Sequence, residues 1–243
     1  PVGPDDAYQF TAAMIDRAWG RSTKGVLVAS PSNPTGTSLH EGELKRIVDC
    51  VAAHGGLLIS DETYAGLNYG RPPETALAHS DDAFVVSSFS KYWNMTGWRL
   101  GWLVAPERHV RDLEKLAQNL YISPAALSQH AALACFSDAA YAIAEARRKE
   151  FEARRDYFAT ALGKIGFKIP VLPDGGFFVY ADVSAFTRDS EKFASEMLDR
   201  TGVAFAPGID FGEFRAREHV RMAYAVNMAK LQDGVARLAG ALA

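Results

Sequence analysis

The chain has 243 residues, 48% apolar and 23% charged, with a formal net charge of −3. That length supports a real hydrophobic core in one large domain or two modest ones, and the composition is ordinary for a globular protein. No strongly basic face is implied, which argues against nucleic acid as a partner, and no apolar run reaches the roughly 18 residues that would place the chain across a membrane.

In chain order, PVGPDDAYQF at the start reads as a linker running into a helix over 4–20, with Asp5 and Asp6 near its N-terminus and Phe10, Met14 and Ile15 as its apolar positions. Pro1 is not an initiating methionine, so the sequence is expected to be a piece of a longer protein or a processed product. Residues 25–30 form a short apolar run that ends in the turn-rich segment PSNPTGTS. Residues 39–53 read as a helix, because Leu44, Ile47, Val48 and Val51 fall on one face, and Gly55 and Gly56 end it. Further strands are expected at 57–60, 84–87 and 100–105, and Pro106 opens another helix.

Beyond that point the character changes. A long helix over 138–162, rich in Ala, Glu and Arg, precedes a strand at 175–181, a helix near 190–200, a short apolar run at 203–205, a strand at 219–224 and a last helix from about Ala229. Buried strands alternating with helices predict an α/β fold with a mostly parallel sheet in the first part, and the rest reads as a smaller α+β domain. The boundary is expected near 136, giving domains 1–136 and 137–243. Cys50 and Cys135 sit in apolar, helical stretches and read as small core residues rather than a disulfide or a metal pair. With no secretory signal they favour a reducing cytoplasm.

In open α/β sheets, ligands bind at the carboxyl ends of the strands. Three strands here end in polar segments: SPSNPTG, SDETY and SSFSK. Lys91 follows a buried strand in a loop of small and polar residues, where partial desolvation makes an amine a usable nucleophile toward a carbonyl. Ser88 and Ser90 flank it and Arg99 follows eight residues later, a group able to cradle a phosphate. Each signal also has a plain reading. Lys91 can be a surface lysine, Asn33-Pro34-Thr35-Gly36 is ordinary turn chemistry, and Asp61 can cap a helix. Arg221, inside an apolar strand, needs a partner, and an internal ion pair would serve.

The order and joint spacing of these segments decide among the readings. N-P-T-G at 33–36, D-E-T-Y at 61–64, S-F-S-K at 88–91, an arginine at 99 and a late strand arginine at 221 stand in sequence, accompanied by Gly175-Gly176-Phe177-Phe178 and by the segment 202–208, GVAFAPG. From about residue 25 to its end the chain resembles the class I/II aminotransferases, the fold-type I enzymes that depend on pyridoxal 5'-phosphate.

The resemblance implies a fold and a set of roles. The fold is the C-terminal part of a fold-type I transferase: the mostly parallel sheet of a partial large domain, lacking part of that sheet, plus a smaller α+β domain. Lys91 forms the internal aldimine with the cofactor and shuttles the proton between the substrate α-carbon and the cofactor's C4′. Asp61 pairs with the ring nitrogen, Tyr64 and Asn33 hydrogen-bond the 3′ oxygen, and Ser88, Ser90 and Arg99 hold the phosphate. Arg221 binds the substrate carboxylate with support from Asn33. The expected reaction is amino transfer from an amino acid to a 2-oxo acid, and the expected assembly is a homodimer. A C–S lyase, a decarboxylase-like enzyme or a synthase would use the same residues. A ligand-sensing aminotransferase-like domain of a transcription regulator is the alternative of another class. The family's N-terminal arm, phosphate-binding glycine/serine loop and ring-stacking aromatic have no counterpart in this sequence. The resemblance also leads us to expect a cis Asn33–Pro34 peptide.

Overall fold

Runs of Val, Ile and Leu become strands here, and the amphipathic stretches between them become the helices that cover those strands. The computed structural model describes all residues, Pro1–Ala243. The chain divides into two compact units. One comprises Gln9–Ser32 and Ser38–Arg148, the other Pro1–Tyr8, Asn33–Thr37 and Lys149–Ala243.

The first unit holds a four-stranded sheet in the order β1 (Gly25–Ala29), β2 (Leu57–Asp61), β3 (Phe84–Ser88) and β4 (Gly101–Val104). β1, β2 and β3 are parallel, and β4 runs antiparallel to β3. Successive side chains of a strand point to opposite faces. Val28, Leu58 and Val85 therefore share one face, where they pack with Ile15 of α1 (Ala12–Ala18) and with Leu44, Ile47, Val48 and Val51 of α2 (Glu43–Ala53). Glu43 ties the two helices together: its Oε1 accepts the Ala12 backbone N–H at 2.7 Å, one of the N–H groups that a helix start leaves without an intrahelical partner. The other face carries Leu27, Ile59 and Val86, all exposed, and Asp61 at the carboxyl end of β2 belongs to it. Helices α3 (Glu107–Leu120) and α4 (Ala126–Leu133) follow.

The second unit is a three-stranded antiparallel sheet, β5 (Phe178–Asp182), β7 (His219–Ala223) and β6 (Ala206–Pro207), in that spatial order. Val179, Ala181, Val220 and Met222 point into a core closed by Phe158 and Leu162 of α5 (Asp138–Lys164), Phe193 and Met197 of α6 (Ser190–Thr201), and Leu231, Val235 and Leu238 of α7 (Met228–Leu242). Leu162, Val179, Ala181 and Val220 are completely buried.

The structure departs from the sequence reading in instructive places. The expected 4–20 helix is interrupted: Ala7 and Tyr8 adopt left-handed backbone angles, φ 50° and 57°, and the helix proper starts only after Thr11, whose side chain accepts the Met14 N–H. Helix α4 carried no periodic signal strong enough to be expected. The strand expected from 175 begins at Phe178, because Gly176 has φ 74° and cannot continue an extended ladder. The units part at 148/149 rather than near 136, and the second one also takes in residues 1–8 and 33–37. The division falls within α5 (Asp138–Lys164), whose residues through Arg148 belong to the first unit.

Candidate active site

In the four-stranded unit, the carboxyl ends of β2 and β3 carry most of the candidate residues. Asp61 is the last residue of β2, paired across the sheet with Ala29 and Val86. Its Oδ1 accepts the Thr63 N–H at 3.0 Å, which turns the chain sharply and holds the half-buried carboxylate at the strand end. The adjacent Glu62 has a different job: it is buried, and its Oε1 accepts the Ser60 hydroxyl at 3.0 Å and the Ala76 N–H at 2.8 Å. Two neighbouring carboxylates thus divide into one at the strand end and one inside the scaffold.

Ser88 ends β3 opposite Gly101. Its hydroxyl donates to the Leu100 carbonyl at 3.4 Å and accepts the Ser90 N–H at 3.0 Å, which fixes the turn leading to Lys91. The Lys91 ammonium lies over the Tyr64 ring, 5.5 Å from its centroid. Tyr64 is itself 9% exposed, so the ring is a firm platform. Arg99 stands two residues before the start of β4, with φ 52°, and its Nη1 donates to the Thr96 carbonyl at 2.9 Å. Asp61, Tyr64, Ser88, Ser90, Lys91 and Arg99 therefore all lie on the segments that leave β2 and β3 at their carboxyl ends or lead into β4.

The other unit holds Asn33 and Arg221. Arg221 Nη1 donates to Asn33 Oδ1 at 2.7 Å, and its guanidinium carbon stacks 5.2 Å from the Phe178 ring and 4.7 Å from the Phe211 ring. A neutral amide and two aromatic faces, not a carboxylate, hold this guanidinium, so the internal ion pair considered from sequence is not its partner. The Asn33–Pro34 peptide is cis as expected, and so is Ser30–Pro31, which sequence did not suggest. Gly36 is required where it stands: a Cβ there would lie 2.6 Å from Pro173 Cβ and 2.8 Å from the Gly175 carbonyl oxygen. That oxygen-lined approach goes with a backbone bond from the Gly175 N–H to the Gly36 carbonyl at 2.9 Å.

Sequence reasoning missed the aromatic neighbours of Arg221. Tyr180 is its direct partner across β5 and β7, on the same face. Tyr180 stacks on His219 at 4.8 Å and lines a cavity of about 250 Å³ together with Tyr8, Phe211 and Arg215. Burial, reinforced by Tyr8, pushes the Tyr180 phenol up to about 12, so it stays protonated and able to donate. The period-2 pattern around Arg221 was the available signal, since Phe178 and Tyr180 alternate with buried Val179 and Ala181.

Residues 2–238 match the aminotransferase class I and II family, and the chain belongs to that family. Its mixed α/β architecture is that of the fold-type I aminotransferases among the solved structures it matches. It is 42% identical over 240 residues to a valine–pyruvate aminotransferase of Mycobacterium tuberculosis, a match spanning 98% of this chain and 62% of that protein. It is 31% identical to an aspartate aminotransferase of Geobacillus stearothermophilus, over 95% of this chain and 60% of the relative. Among solved structures, an aminotransferase from Mycobacterium tuberculosis aligns with a TM-score of 0.93 at 43% identity, over the whole of this chain and 63% of the other. A Thermus thermophilus aspartate aminotransferase double mutant aligns with a TM-score of 0.91 at 28% identity, over 98% and 62%. The chain thus spans about three fifths of the length of the relatives it matches. No helix is long and apolar enough to cross a membrane.

Proposed function

We propose that this chain carries the cofactor-holding and carboxylate-binding groups of a pyridoxal 5'-phosphate-dependent aminotransferase, which moves an amino group from an amino acid to a 2-oxo acid. The observation that carries the reading is the Lys91 ammonium seated over the buried Tyr64 ring, 5.5 Å from its centroid, on loops leaving adjacent strand ends.

The donor set of the four-stranded unit suits the cofactor's chemistry. The Lys91 amine is the covalent anchor for an aldehyde. The Asp61 carboxylate pairs with a ring nitrogen and favours its protonated form. The Ser88 and Ser90 hydroxyls and the Arg99 guanidinium match a phosphate dianion. Tyr64 donates to the ring's phenolic oxygen. When bound, the cofactor supplies an electron sink for the electron pair left on the substrate α-carbon. With the cofactor bound, Lys91 Nζ would be the group to move the proton from that α-carbon.

Arg221 is assigned the substrate α-carboxylate. A planar guanidinium recognises a carboxylate through two parallel N–H donors, and stacking on Phe178 and Phe211 fixes its plane before substrate arrives. Asn33 steadies one of its nitrogens. The M. tuberculosis relative makes valine and pyruvate the first pair to test. A homodimer is the expected assembly.

Reduction of the protein with borohydride in the presence of pyridoxal 5'-phosphate, followed by peptide mass spectrometry, tests the assignment. The label is expected on Lys91. Label on other lysines only, in a folded sample, would remove Lys91 from its role. Turnover of the amino acid without any oxo acid would replace the transferase reading with a lyase.

A further inference from the structure

Away from the strand ends, α1 and α2 bring together three side chains that the proposed reaction does not use. Cys50 and His54 are four residues apart on α2 and its C-terminal cap, so they share a helix face. Asp16 comes from α1, which packs beside α2. The ligating atoms of all three lie within 4.8 Å of one another. His54 Nε2 and Asp16 Oδ1 are already 2.8 Å apart. The Cys50 thiol reaches back to the Ala12 carbonyl at 3.6 Å. Trp19 stacks on the His54 ring at 4.5 Å with a 9° interplanar angle, which sets the imidazole plane.

We propose that Asp16, Cys50 and His54 form a three-ligand site for a first-row divalent cation, zinc above all, which clamps α1 to α2. One thiolate, one imidazole nitrogen and one carboxylate oxygen make the borderline-soft set that zinc takes in four-coordinate sites with water at the fourth position. With the usual zinc bond lengths, tetrahedral ligand atoms stand about 3.3–3.8 Å apart. The Asp16–His54 pair is closer than that and opens slightly, while the widest separation closes by roughly 1 Å, a movement within side-chain rotation. Binding releases the thiol proton to solvent and breaks the Asp16–His54 hydrogen bond, the imidazole ligating through its unprotonated nitrogen. Thiolate and carboxylate then neutralise the ion's two charges. The site is open to solvent, since the Asp16 side chain is 66% and the His54 side chain 30% exposed. Its consequence is mechanical: the two helices it joins cover the Val28, Leu58 and Val85 face, so an ion bound only to the folded unit stabilises that unit by mass action.

Titration of the tag-free, metal-stripped protein with Co²⁺ and then Zn²⁺ tests this. One Co²⁺ per chain is expected, with a thiolate-to-cobalt charge-transfer band that Zn²⁺ abolishes, and Zn²⁺ should raise the melting temperature. Cys50→Ser should remove the band, and Asp16→Asn and His54→Ala should each weaken binding about tenfold or more, at least the loss seen when a group behind a metal ligand is removed. Cys135→Ser should leave the band unchanged. Asp16→Asn alters an exposed position, so it reports even if the Cys50 variant folds poorly. Absence of saturable 1:1 binding, a complex without the thiolate band, or binding unaffected by these substitutions would overturn the proposal.

Discussion

Arg221 and Asn33 stand 188 residues apart in sequence, yet Arg221 Nη1 donates to Asn33 Oδ1 at 2.7 Å. The same guanidinium is flanked by Phe178 and Phe211. One segment of the second unit thus supplies the planar cation, and a separate, five-residue insert of the chain supplies the acceptor that orients it. Arg221→Lys keeps the charge and loses both the fork and the stacking. Its kcat/KM for an amino acid should fall by about 10–100-fold, the equivalent of one charge-assisted hydrogen bond. Asn33→Ala should cause a smaller loss. Steady-state kinetics of both variants check this, and an unchanged Arg221→Lys enzyme would move the carboxylate site elsewhere.

Gly36 and Gly55 have similar left-handed angles, φ 68° and 64°, but different surroundings. Alanine at Gly55 meets nothing within 4 Å and pays only the backbone cost, about 1–2 kcal/mol. Alanine at Gly36 would in addition press on Pro173 Cβ and the Gly175 carbonyl. Urea denaturation should therefore rank Gly36→Ala as clearly more destabilising. Equal losses would show that the contacts to 173–175 yield easily.

The neighbouring carboxylates should separate by function. Glu62→Ala leaves the buried Ser60 hydroxyl and Ala76 N–H unsatisfied and should cost about 1–3 kcal/mol per orphaned group. Asp61→Asn keeps the Oδ1 acceptor for the Thr63 N–H, so stability should change by no more than about 0.5 kcal/mol. If Asp61 holds the role proposed for it, activity should nevertheless drop, because a neutral amide lacks the charge that favours a protonated ring nitrogen. Parallel unfolding and activity measurements distinguish the two.

Asp182 gives a pH signature. Burial alone would raise its carboxyl, but hydrogen bonds from the Ser184 hydroxyl and N–H, with the charges of His219 and Arg215, hold it below the ordinary value of 3.8. A lowered folded-state value means that the stabilisation is fully present above 3.8 and fades as pH falls below it. The stability gap between the wild type and Asp182→Asn, about 1.5–3 kcal/mol at neutral pH, should therefore close on acidification below that value. A gap that persisted unchanged at lower pH would mean the charge contributes nothing.

Much of this was legible in the sequence because it rests on local periodicity and on turn residues. Leu44, Ile47, Val48 and Val51 announced the buried face of α2, and polar strand endings announced Asp61, Ser88 and Lys91. What stayed hidden was non-local. Tyr8 and Ala7 break the first helix through backbone angles that no side-chain pattern encodes. Phe211 meets Arg221 only through the return of a loop. Asp16 finds Cys50 and His54 only once α1 lies against α2. Cys50, read as a plain core residue, is half-buried with a carboxylate and an imidazole beside it.

β7 alternates Val220, Arg221 and Met222, two core residues around one cation. Because a strand's side chains repeat every two residues, shifting β7 by one position would turn Arg221 into the hydrophobic interior and expose both neighbours. A single-residue insertion between Glu218 and Val220 would thus displace the Arg221 guanidinium and unfold the second unit together, whereas an insertion in the exposed 212–215 turn could be absorbed. In this strand, the packing of the core and the placement of Arg221 depend on the same count of residues, and neither changes without the other.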